Sequence, residues 1–282
     1  MLDLQKLQQL RWYDAVSFTL NKVLAGHYAQ CYPNLSYADT PRQVLDLYCP
    51  HHKKRDAPLV IFVHGGSWQR GQKDDYIFLA QSLAQEGMYV ATVNYQLAPM
   101  HQFPAFVDDV AQAINYLQQV ENSERFGYNR DQVILLGHSA GAFNVMSAVY
   151  PTASQQRIAH LAGVKAVIGI AGPYSFEHRG DPVAQFAFDQ SIAPQAIMPN
   201  YFVSKNHIQH LLLLAGKDQL VADDNTYHMQ KALQEVGNAV EVLRVARTNH
   251  ISIIATLTRG IAKVYPTKAK LCSFIEKSLQ SS

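Results

Sequence analysis

The chain is poor in cysteine. Its 282 residues hold three, Cys31, Cys49 and Cys272, an odd number set far apart. That excludes a disulfide framework and any cysteine-based metal spacing, and it favours a reducing compartment. Charge is scarce as well. Charged residues make up 16% of the chain and the net charge is +2. So small an imbalance leaves no electrostatic footprint for nucleic acid or an anionic membrane surface. The one dense basic run, His51-His52-Lys53-Lys54-Arg55, falls between two predicted strands and reads as a solvated loop. No apolar run approaches the roughly 20 residues of a membrane span. Internal repeats, low-complexity tracts and linkers are also missing. The polar, Gln/Leu-rich start from Met1 to Leu10 does not read as a signal peptide. A cytoplasmic location is the expectation.

What the chain does have is apolar sequence, 48% of its residues. That suffices for one α/β domain over 1–282 with a sizeable core. Short apolar runs at 59–63, 89–94, 133–136, 164–170 and 210–215 read as buried strands, and 43–48 and 240–245 alternate as half-buried ones. Helical spacing fills the gaps at 73–86, 105–120, 223–236 and 266–279, with a further helix running through Tyr150. Asp223 stands where a helix cap would. This alternation predicts a doubly wound, mainly parallel sheet with helices on both faces. Residues 1–30 read as one or two helices, either packed on the core or forming a partial lid. The long aromatic stretch 172–206 breaks the alternation and reads as a small cap lining a substrate pocket.

In such sheets ligands bind beyond the carboxyl ends of the strands. Several chemically capable residues follow strands directly. Gly137-His138-Ser139-Ala140-Gly141 joins a predicted strand to a predicted helix. A serine on that sharp turn projects above the sheet edge, and the Ala140 amide at the helix N-terminus faces the space where an oxyanion would form. A serine hydroxyl needs a base to take its proton and a carboxylate to orient that base. Asp218, in Gly216-Lys217-Asp218, and His250 follow the last two predicted strands in the chain order Ser, Asp, His. Asp223 and Asp224 are fallback acids. His64-Gly65-Gly66-Ser67-Trp68 follows the 59–63 strand, and its Gly-Gly pair presents backbone amides without side-chain obstruction. Gly66, Ser67 and Ala140 are therefore the expected oxyanion donors, with Gly65 as a further contributor and His64 bracing the loop. Trp68, Tyr174 and Phe176 are candidate pocket residues. Asp108 and Asp109 read as structural. His207 and His210 read as a solvated pair at a strand start, with no carboxylate or thiolate at ligand spacing, so no metal is expected.

Taken together, His64-Gly65-Gly66-Ser67-Trp68, Gly137-His138-Ser139-Ala140-Gly141, Gly216-Lys217-Asp218 and His250 resemble the α/β-hydrolase fold. They look like its esterase branch carrying His-Gly-Gly-x-Trp, which includes hormone-sensitive-lipase-like carboxylesterases and kynurenine-formamidase-like arylformamidases. Tyr95 to Pro99, Phe103-Pro104-Ala105 and Asp108 look like the first group, which usually has a third glycine at Ser67, commonly an Asp at His138 and a longer N-terminal cap. Gly137 to Ala142 is similar to the second group. The resemblance implies a Ser/His/Asp acyl-enzyme mechanism without a cofactor. It implies a small-molecule ester substrate, with an aryl formamide as the alternative, or a non-catalytic ligand-binding role for the same fold. The sequence leaves the oligomeric state open, a homodimer included.

Overall fold

Leu59, Ile61 and Val63 point to one side of a sheet, and Val60 and Phe62 to the other, all fully buried. A strand buried on both faces needs a continuous apolar run, which is what 59–63 supplies. The computed structural model describes residues 21, 30–50, 52 and 57–280. The helical segment expected over 1–30 and the basic run at 51–55 otherwise lie outside the described residues.

Eight strands form one sheet: β1 (Gln30–Ser36), β2 (Val44–Cys49), β3 (Pro58–Val63), β4 (Tyr89–Val93), β5 (Asn129–His138), β6 (Val164–Ile170), β7 (Gln209–Ala215) and β8 (Val240–Val245). Their spatial order is β1-β2-β4-β3-β5-β6-β7-β8. β4 to β8 and β3 run parallel, while β2 is antiparallel to β4 and β1 to β2. Helices cover both faces. α1 (Ile77–Ala84) and α7 (Thr267–Gln280) bury Phe78, Leu79, Leu83, Leu271 and Phe274 on the Val60/Phe62 side. α2 (Ala105–Leu117) and α4 (Ala140–Val149) bury Phe106, Ile114, Phe143 and Met146 on the other. Each such side chain contributes about 2 kcal/mol by leaving water. α3 (Val120–Phe126), α5 (Asp224–Glu235) and the one-turn α6 (Ser252–Ala255) are the other α-helices between residues 57 and 280.

The predicted strands and helices are present, with shifts at their ends. The expected helix at 105–120 is two helices, α2 and α3. The one at 73–86 opens as a 3-10 turn over Lys73–Tyr76. β1 and α6 have no counterpart in the sequence reading. Asp223 does not cap α5: its backbone is already helical, its side chain accepts no hydrogen bond from the helix, and its carboxylate pairs with Arg244. His210 is not solvated. It is fully buried, with Nε2 2.9 Å from the Tyr150 hydroxyl and Nδ1 3.1 Å from the Ala239 carbonyl.

Register places the working edge. Val63 pairs with Gly137, Gly137 with Gly169, Ile170 with Leu213 and Ala215 with Val245. Parallel strands in step end together, so the segments after β3, β5, β7 and β8 emerge side by side.

Candidate active site

The turn after β5 is tight because two glycines let it be. A Cβ on Gly137 would stand 2.3 Å from the Gly141 carbonyl oxygen, and one on Gly141 would stand 2.1 Å from that of Val63. Ser139 sits between them at φ 54 and ψ −122, a strained conformation for a residue with a side chain. Its amide donates to Ile170 and its carbonyl accepts from Ala142 and Phe143, which starts α4. The hydroxyl is left at the sheet edge, on the wall of a cavity of about 500 Å³.

The structure brings Ser139, His250 and Asp218 together. His250 Nε2 lies 2.8 Å from Ser139 Oγ, and its Nδ1 lies 2.8 Å from Asp218 Oδ2. The other Asp218 oxygen accepts the amides of Leu220 and Val221 at 2.9 and 3.0 Å. Burial pushes the Asp218 carboxyl up, but the bonds from His250 and these two amides outweigh it, and the group titrates below its ordinary value. A charged acceptor therefore holds the proton of His250 on Nδ1 and leaves Nε2 free to accept from the serine.

Thr248 aligns the acid with the base. Its carbonyl accepts the Lys217 amide at 2.8 Å, and its hydroxyl takes the Gly216 amide at 3.2 Å while donating to Val245. The turn after β7 is thereby fastened to the turn after β8. Sequence reasoning missed Thr248, since only the pairing of β7 with β8 makes the two turns neighbours.

The loop after β3 curls over the cavity with Gly66 at φ 125, Ser67 at φ 55 and Trp68 at φ 59. Gly66, Ser67 and Ala140 all line the cavity beside Ser139 and His250. Among the described residues their amides donate to no other protein group. Gly65 differs: its amide faces the Tyr76 hydroxyl at 3.4 Å, and it does not border the cavity. His64 braces the loop. It is fully buried, stacks on Tyr95 at 4.4 Å and makes a 2.7 Å bond to the Gly65 carbonyl, while burial pushes its pKa down to about 3.

Trp68 both packs and lines. It is 3% exposed, donates from Nε1 to Asn144 at 3.0 Å, and borders the cavity, where Phe176 stacks on it with the rings 9° apart. Tyr174 does not line the cavity. It is fully buried, its ring filling a notch that a Cβ on Gly169 or Gly172 would close. The remaining walls come from Gln69 and Arg70 and from 173–184 and 220–225, the latter two including the charged residues Glu177 and Asp181 and the exposed Leu220. Asp108 and Asp109 hold the backbone, accepting the Gln156 and Arg157 amides and the Gln96 amide respectively. Among the described residues no group of three His, Cys, Asp or Glu could hold a metal.

A doubly wound sheet with a serine on the turn after β5, a histidine after β8 and a carboxylate after β7 defines an α/β-hydrolase, and solved structures agree. Esterase B from Lactobacillus rhamnosis (HN001) superposes with a TM-score of 0.78 over 98% of this chain and 95% of that one, at 17% identity. More narrowly, the chain belongs to the BD-FAE family, whose model matches residues 45–233. A kynurenine formamidase from Danio rerio is 26% identical over 235 residues, 79% of this chain and 76% of that protein. A probable isoprenylcysteine alpha-carbonyl methylesterase from Oryza sativa subsp. japonica is 32% identical over 150 residues, 51% of this chain. The match spans 36% of that plant protein's length. No described helix is long and apolar enough to cross a membrane.

Proposed function

We propose that the protein is a serine hydrolase that cleaves small-acyl carboxylic esters through an acyl-enzyme. The observation that carries this reading is the pair of 2.8 Å contacts that set His250 between Ser139 Oγ and Asp218 on the cavity wall. Ser139 Oγ attacks the ester carbonyl carbon as its proton passes to His250 Nε2. The negative charge on the tetrahedral oxygen is met by the amides of Gly66, Ser67 and Ala140, already in place and needing no reorganisation. Collapse breaks the bond to the alkoxy group, which leaves with the proton from His250. Water then attacks the acyl-enzyme with His250 as base, returning the free acid and Ser139. Asp218 stays ionised throughout and stabilises the imidazolium.

Residues 172–206 act as the cap. Its side facing the cavity carries Phe176, Glu177 and Val183, and it is fastened to the loops below by bonds from Phe103 to Ala187 and from Gln69 to Val183. The cavity must hold acyl and leaving group together, and its volume suits short acyl chains.

A second reading is hydrolysis of an aryl formamide. It is favoured by the matches to kynurenine formamidases, which run through most of both chains, whereas the plant methylesterase matches cover 36% and 56% of those proteins' own length. The same residues would serve, with an aryl amine as leaving group.

The test is hydrolysis of nitrophenyl esters from acetate to dodecanoate by wild type and Ser139→Ala side by side. Turnover by the wild type alone, strongest on short chains, is expected. Near-normal activity in a clean preparation of Ser139→Ala refutes the assignment. An aryl formamide with a kcat/KM above the best ester selects the second reading.

A further inference from the structure

His138 precedes the serine, and its side chain is fully buried behind it. Its Nε2 lies 2.9 Å from the backbone carbonyl of His250, and its Nδ1 lies 3.1 Å from the Tyr76 hydroxyl. That hydroxyl is in turn 3.4 Å from the Gly65 amide. Burial, followed by the charge of His250, pushes the His138 pKa down to about 3, so the ring is neutral. A neutral imidazole has one N–H. The His250 carbonyl can only accept, which puts that proton on Nε2. Nδ1 is then an acceptor, and the Tyr76 hydroxyl donates to it. The tyrosine oxygen is left to accept from Gly65. The donors thus run one way, from the Gly65 amide through Tyr76 and His138 to the His250 carbonyl.

These contacts join three loops. Gly65 begins the turn that presents the oxyanion donors, His138 adjoins the serine, and His250 is the base. Asp218 fixes the ring of His250 but not its backbone. On the serine-hydrolase reading above, we propose that His138 is a positioning residue, holding the His250 main chain so that its Nε2 stays in line with Ser139 Oγ. Neutrality is part of the design. The His138 and His250 rings are 5.2 Å apart, and a cation at 138 would oppose the imidazolium that forms when the serine gives up its proton.

Two substitutions separate the arms of this relay. In His138→Asn the side-chain oxygen can stand near the site of Nδ1 and accept from Tyr76, but nothing reaches the His250 carbonyl. In His138→Gln the amide can reach the site of Nε2 and donate to that carbonyl. Rates are taken per active site titrated with an organophosphonate, so unfolded protein does not count. His138→Asn is expected to lower kcat by about 10²-fold, the penalty of a displaced base, with KM within about twofold of wild type. His138→Gln is expected to recover about tenfold or more of that loss. A filler role would lower the melting temperature of both variants and leave kcat per titrated site at the wild-type value, and that result overturns the proposal. If His138→Asn does not fold, Tyr76→Phe takes its place. It removes both hydrogen bonds that pass through the Tyr76 hydroxyl, to His138 Nδ1 and from the Gly65 amide, and should lower kcat by about fivefold at constant KM, and an unchanged kcat is again fatal. Ser139→Ala is assayed in parallel. Hydrolysis that survives in Ser139→Ala refutes the serine-hydrolase reading itself, whereas Ser139-dependent hydrolysis with wild-type kcat in His138→Asn overturns only the role of His138.

Discussion

Replacing Asp218 by Asn tests the proposed chemistry at the point where geometry predicts the outcome most sharply. One Asp218 oxygen accepts the amides of Leu220 and Val221, and the other accepts from His250 Nδ1. An asparagine has one oxygen and one NH2 to fill those two places. With its NH2 toward Leu220 and Val221 it would face two donors and lose two hydrogen bonds, each worth about 1 kcal/mol. With its oxygen there, both bonds survive and the NH2 faces His250 Nδ1. That nitrogen must then be bare, so the imidazole proton moves to Nε2 and points at Ser139 Oγ. No hydrogen bond is lost, so this is the arrangement that forms. A protonated Nε2 cannot take the serine proton. kcat should fall by about 10⁴-fold, equivalent to about 5 kcal/mol of barrier, while the oxyanion donors keep hydrolysis above the rate in water. The fold should be unaffected, because the loop keeps its two amide bonds. The assay is steady-state hydrolysis of nitrophenyl acetate with titrated active sites, alongside a thermal melt. A D218N enzyme within tenfold of wild type would mean that Asp218 does not set the tautomer of His250.

Two further outcomes follow from packing and from titration. Gly141→Ala would force its Cβ against the carbonyls of Val63 and His64, both backbone, and should cost about 3 kcal/mol, read as a lower urea midpoint; a midpoint equal to wild type contradicts the tight turn. Burial pushes His210 down to about 4 from its ordinary 6.5, so the unfolded chain binds that proton more tightly; its contribution is whole above pH 6.5, drains as pH falls toward 4, and amounts to about 2 kcal/mol between pH 7 and pH 5. His210→Gln should shrink the loss of stability over that interval by about that amount, and a loss as large as wild type's would show that His210 is not its source.

How much of this was legible in the sequence depended on whether the determinant was local. Val133 to Gly141 could be read directly, because a buried strand, two space-demanding glycines and a helix start all lie within nine residues. Asp218 and His250 were legible through their places after strands, since parallel strands in step deliver such residues to one edge. β1 was not, because Pro33 and a bulge between Tyr32 and Leu35 spoil its pattern, and only pairing to β2 makes it a strand. Asp223 has the residue type of a cap without the backbone of one, and Arg244 takes its carboxylate. His210 looked solvated because nothing nearby in sequence announces Tyr150 as its partner, 60 residues away. Tyr76 and Thr248 escaped for the same reason. Each acts through a partner on another loop, and a hydroxyl on a helix start or in a turn carries no signal of that.

The backbone shows what these loops cost. Six described non-glycine residues have positive φ, and five of them, Ser67, Trp68, Ser139, Ala171 and Arg247, follow the ends of β3, β5, β6 and β8. Each such conformation costs on the order of 1–3 kcal/mol, so together they approach the net stability of an ordinary domain. Ser67 makes the point most clearly. It adopts φ 55 where the lipase-like group that the loop resembles usually has a glycine, which would adopt that angle freely. Strain of this size persists only where the surroundings over-determine it. Here they do, because β3, β5 and β6 are buried on both faces and leave the turns no slack. The walls of the cavity are built differently. Residues 173–184 and 220–225 belong to no strand, and side chains such as Phe176 and Leu220 reach the cavity from irregular backbone. Substitutions there can reshape what the cavity accepts without relaxing the turns that hold Ser139, Asp218 and His250. Substitutions under the turns must disturb fold and chemistry together.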